Sequence, residues 1–218
     1  MLIMKVEPIQ IIYGVRFTTL LFPLNYSGLM NSLEKRGYEI SSGIPFPRLP
    51  IRIGGAGEIA RKGKTIVQVD AGQQILQVVG TDLKSTFECF QEIEKALKED
   101  CNFQIIDFAR TYNISANYVS STRNRSYEAI AKAFSSPIFN DLGKIMEENL
   151  WPLTLNFAGA NLVVNSNNWF DISIRPNLER DNSYTIEVVF RNADRLKTEK
   201  FLQTLEEKLT RIIELIDR

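Results

Sequence analysis

Histidine is missing from these 218 residues, and cysteine occurs only twice. The first absence removes the commonest general base and metal ligand, and with it every catalytic triad built on imidazole. The second removes a disulfide scaffold. Cys89 and Cys101 fall on and just beyond one expected helix, too far apart to bridge unless the chain reverses, so both are expected as free thiols. Charge of either sign is not in excess: 26 basic residues balance 26 acidic ones. The basic surplus that usually accompanies nucleic-acid binding is therefore lacking. The longest apolar stretch near the N-terminus, Leu20 to Leu24, falls far short of the roughly 18 residues of a membrane span. No charged-then-apolar leader pattern precedes it, so the expected location is the cytoplasm, with no membrane partner. Neither Cys-x-x-Cys nor Asp-x-Asp spacing occurs, so no metal and no cofactor is expected.

What is present is ordinary globular composition, 44% hydrophobic and 24% charged, arranged in a rhythm that occurs twice. Ile9, Ile11, Tyr13, Val15 and Phe17 alternate as a half-buried strand. Asn25 opens a short helix carrying Leu29, Met30 and Leu33, which Gly37 stops. A strand-and-turn region follows, with β-branched runs over 65–69 and 74–79. Thr81 or Asp82 then opens a helix whose Leu83, Phe87, Phe90, Ile93 and Leu97 form one apolar face. From about residue 103 the order returns. A strand over 103–119 leads to a helix near Ser126 that Pro137 interrupts. Strand-like runs follow at 152–157, 161–164, 169–175 and 184–191, and one long helix from Asp194 closes the chain. The fold class is therefore predicted as α+β: two tandem strand-helix-meander-helix units, 1–103 and 104–218, forming an antiparallel sheet with helices on one face. The two units are expected to pack as one compact body.

This plan resembles the TATA-box-binding protein and its wider saddle-like fold group. Phe46-Pro47-Arg48-Leu49 is similar to the family's entry to its second strand. Leu76-Gln77-Val78-Val79-Gly80 leading to Ser85-Thr86 resembles its strand-to-helix junction. The second half departs: Trp151-Pro152-Leu153 is a weak counterpart, and no matching glycine junction precedes Asp194. The resemblance implies a saddle whose bare sheet face meets DNA. Strand alternation, however, puts Asp171 and Glu187 on that face, where carboxylates repel phosphate.

Three functional classes stay open. The leading one is a non-catalytic binding or assembly protein that uses the sheet as a scaffold, for a protein partner or as a homo-oligomer. The second is a small-ligand-binding protein with an apolar cavity between helix and sheet. Its mouth is expected at the polar loop before residue 126, where Thr122, Arg123, Arg125 and Ser126 could hold an anion at a helix start. The third is nucleic-acid binding, if Arg48, Arg52, Arg61, Lys62 and Lys64 gather into one patch. The glycines at 54, 55 and 57 read as a bulge or turn, because no helix follows them. No catalytic constellation is legible. A lysine, tyrosine or carboxylate enzyme would leave no signature in this pattern.

Overall fold

The computed structural model describes residues 5–19, 23–41, 56–134, 136–147, 150, 152–159 and 167–218. The first half comprises β1 (Val6–Phe17), α1 (Tyr26–Lys35), β2 (Glu39–Ile40), β3 (Ala56–Lys62), β4 (Thr65–Asp70), β5 (Ile75–Gly80) and α2 (Leu83–Asp100). The second comprises α3 (Ile105–Phe108), β6 (Ala109–Ser121), α4 (Ser126–Ala133), α5 (Pro137–Met146), β7 (Leu155–Ala158), β8 (Trp169–Pro176), β9 (Ser183–Asn192), α6 (Arg195–Gln203) and α7 (Leu205–Ile216). The described strands make one antiparallel sheet in the order β2-β3-β4-β5-β1-β6-β9-β8-β7. The fold class is α+β, as the periodicity predicts.

Local chemistry sets the helix starts. The side chains of Asn25, Asp82 and Asp194 accept from the amides of Gly28, Ser85 and Lys197, each satisfying a donor that the first helical turn leaves free. Gly63, at φ +58°, forms the tight turn between Lys62 and Thr65 that joins β3 to β4.

Alternation then sorts the sheet into two faces. Ile11, Tyr13 and Val15 of β1 are fully buried under the helices, as are Leu76 and Val78 of β5 and Ile174 and Ile186 of β8 and β9. Burying each such side chain contributes roughly 1.5–3 kcal/mol. Tyr13 meets Phe90 of α2 with ring centroids 4.6 Å apart. On the opposite, bare face lie Gln10, Ile12 and Gly14 of β1, with Asn117, Ser115 and Asn113 of β6 as their cross-strand partners.

The structure differs from expectation in two places. The strand expected over 103–119 begins as the helical turn α3 and runs straight only from Ala109. The single closing helix is two, α6 and α7, separated at Thr204. There the Thr204 hydroxyl donates to the carbonyls of Lys200 (2.9 Å) and Phe201 (3.3 Å), a local alternative to uninterrupted helix. The strand expected over 161–164 lies outside the described residues. Among the described residues, no helix is long and apolar enough to cross a membrane.

Candidate functional site

The polar loop before α4 already holds an anion, and the anion is the chain's own. Asp217, buried at the end of α7, accepts from the amides of Arg123 (Oδ2, 2.8 Å) and Asn124 (Oδ1, 3.2 Å). Its carbonyl and carboxylate also take the Asn124 side-chain amide. The hydroxyls point inward: Thr122 Oγ1 bonds the Asn124 carbonyl, and Ser126 Oγ donates to the Asp181 carbonyl at 2.9 Å. Arg125 turns to the Tyr127 hydroxyl (3.0 Å) and to Glu128 (3.6 Å). Arg123 is exposed. Ser126 lines a surface groove of about 680 Å³ with Lys132, Leu153 and Leu178; neither arginine does.

The basic run of the first half is divided by the sheet. Arg61 stands on the bare face and grips Glu58 through Nε and Nη2, at 3.2 and 3.0 Å. Lys62 points the other way, to both carboxylate oxygens of Glu92 on α2 at 2.9 Å, with the Tyr38 ring 4.8 Å below. Lys64 occupies the exposed turn. Arg48, Arg52, Gly54, Gly55 and Trp151 lie outside the described residues.

Asp171 and Glu187 do share the bare face. Their register separates them, since Asp171 stands opposite Val189 and Glu187 opposite Ser173. Glu187 pairs with Arg175, so this side of the sheet presents a neutralised carboxylate, not an acid–base couple. Neither thiol is poised as a nucleophile. Burial pushes Cys89 up, and its sulfur lies 3.3 Å from the Tyr38 hydroxyl; burial likewise raises Cys101. Among the described residues, no group of three or more cysteines and carboxylates could hold a metal ion.

A second, more apolar concavity lies on the helix side of the second half. Between α7 and strands β7 to β9 runs a groove of about 890 Å³. Phe157, Phe170 and Phe190 form its floor because they are the inward residues of three neighbouring strands. Phe201 of α6 stacks on Phe190 with centroids 4.0 Å apart, and Leu205, Ile212 and Leu215 supply the far wall. Lys208 and Arg211 stand at the rim. Lys208 Nζ lies 4.9 Å from the Phe201 ring, and Arg211 reaches Glu207.

The sequence signals part of this groove, since the alternation of β8 and β9 marks Phe170 and Phe190 as inward. It does not signal Phe201, Lys208 and Arg211, whose placement follows from the break at Thr204. No protein-family model matches this chain, and no curated protein matches it either.

Proposed function

We propose that the chain is a non-catalytic binding protein, and that the groove between α7 and β7–β9 takes an elongated apolar molecule with one anionic end. The observation that carries this is the groove's lining: five phenylalanines from strands and helices, with Lys208 and Arg211 at the edge. Apolar walls with a few convergent polar groups are the usual make-up of a small-molecule site. A cation at the rim favours a ligand whose charge stays in water while its body is buried.

Dodecanoate and its methyl ester are suitable probes. Dodecanoate is expected to bind one to one, and Lys208→Gln is expected to weaken the acid more than the ester. Leu215→Asp, at a position 60% exposed and therefore safe for folding, is expected to abolish both. No binding to the native protein, or binding indifferent to Leu215→Asp, would overturn the reading.

A second reading, assembly with another copy, is supported by α5. Its apolar residues Ile138, Leu142, Ile145 and Met146 are all exposed, at 40% or more. Clusters of that kind mark association surfaces. Sedimentation at tens of micromolar should show a dimer that Ile145→Asp dissociates; a monomer throughout removes it.

The strand order also supports the saddle-like likeness. β1 and β6 lie side by side, each followed by helix, meander and helix. DNA binding by the bare face is less well supported, because Glu7, Glu58, Asp70, Asp171 and Glu187 are spread across it.

A further inference from the structure

At one end of the sheet three arginines fall on three adjacent strands, with Arg16 and Arg110 close enough to act electrostatically on Arg191 and Arg110 at the register shift of β6. Arg16 of β1 stands opposite Thr111, next to Arg110 of β6. Arg191 of β9 stands opposite Asn113, two residues further along β6. Each guanidinium is tied down by the same atom. Arg16 Nε donates to the Gln73 carbonyl at 3.1 Å, Arg110 Nε to Asn167 Oδ1 at 3.3 Å, and Arg191 Nε to Asn113 Oδ1 at 3.0 Å. Among the described residues, none of the three forms an ion pair, and their Nη groups donate to nothing. Four other arginines of the fold are matched with acids: Arg36 with Glu99 and Asp100, Arg61 with Glu58, Arg175 with Glu187, Arg195 with Glu94 and Glu199.

Like charges brought together cost stability unless something negative joins them. Burial first, then Arg16 and Arg110, hold Arg191 below the usual arginine range. The other acids of this end do not supply the counter-charge. Asp70 accepts from the Gln73 amide at 2.8 Å, and Asp171, opposite Val189, forms no ion pair among the described residues.

We infer that Arg16, Arg110 and Arg191 form a binding site for a small phosphate monoester at this end of the sheet. Guanidiniums fixed through Nε present their paired Nη groups, the geometry that grips an oxyanion at two points. Trp169, the cross-strand partner of Arg191 and only half-buried, stands beside them as a platform on which a base could stack. The carboxylates distributed over the bare face favour a compact ligand over a polyanion crossing the sheet.

Titration calorimetry at low salt with inorganic phosphate, ribose 5-phosphate and AMP tests this on the full chain. All three should bind one to one, and AMP alone should lose affinity on Trp169→Ala if the source is a nucleotide. Equal effects on all three would assign the site to phosphate itself. Arg110→Gln, at an exposed position, and Arg191→Gln should each weaken binding at least tenfold, while Arg123→Gln leaves it unchanged. Unaltered urea midpoints show that the variants fold. No binding of any of the three, binding indifferent to both substitutions, or binding only of a single-stranded oligonucleotide would overturn the proposal.

Discussion

Glu94 of α2 and Arg195 of α6 meet in a two-point ion pair, with Nη1 2.7 Å from Oε1 and Nη2 2.6 Å from Oε2. The carboxylate comes from the first half of the chain and the guanidinium from the second. Glu199, one turn along α6, accepts from Arg195 Nε at 2.6 Å. All three side chains are less than one-third exposed, so the pair clamps α2 to α6 over the central strands. Burial raises Glu94 even against the pull of Arg195, and below it burial pushes the Tyr112 hydroxyl up to about 12. Removing one member should leave the other stranded. Glu94→Ala is expected to cost about 2–3 kcal/mol in urea unfolding. Replacing both partners, Glu94→Leu with Arg195→Met, should recover much of that loss.

Gly80 ends β5 under the first turn of α2. A Cβ there would sit 2.2 Å from Thr86 Oγ1, a fully buried hydroxyl committed to the Asp82 carbonyl at 2.7 Å. Gly80→Ala should destabilise by about 1–3 kcal/mol through overpacking. Adding Thr86→Ala should return part of the loss, because it removes the atom that collides.

The loop over residues 122–126 owes its form to Asp217. Asp217→Asn keeps one acceptor but loses the charge, and should cost about 1–2 kcal/mol in urea unfolding. It should also speed amide exchange at Arg123 and Asn124 specifically. Unchanged exchange at those two amides would contradict the carboxylate's role.

The far end of α2 depends on acidity. Hydrogen bonds from Ser32 and then Arg36 hold Asp100 below the usual carboxylate range. Its folded pKa is thus lower than its unfolded one, so its contribution is present above about pH 4 and is lost as pH falls through the lowered value. Acid unfolding of Asp100→Asn should show a shallower pH dependence than the native protein over that range. A curve of equal slope would contradict it.

Much of the framework was legible because single residues settle it. Asn25, Asp82 and Asp194 start helices wherever a short acceptor precedes an apolar rhythm, and alternation alone assigns Tyr13 inward and Asn113 outward. Two kinds of information were not local. The first is which charges meet across strands. Arg175 and Arg191 alternate onto the same face as Asp171 and Glu187, yet register sets Arg191 beside Asn113, and it is Arg175 that finds Glu187. The second is what a loop binds. Hydroxyls and arginines at 120–126 read as an anion site, and their amides do hold an oxyanion, but that oxyanion arrives from residue 217. The groove was hidden for a related reason, since Thr204 breaks the closing helix at a hydroxyl that periodicity alone passes over.

The pairing of β1 with β6 has a consequence in time. Tyr13 and Ile114 face each other across that seam, yet a ribosome adding roughly 5–20 residues per second needs about 5–20 s to span the hundred or so positions between them. Throughout that delay the nascent first strand offers a bare backbone margin to any neighbour. Synthesis rate and chaperone supply, more than final stability, should therefore govern how much of this protein a cell recovers intact.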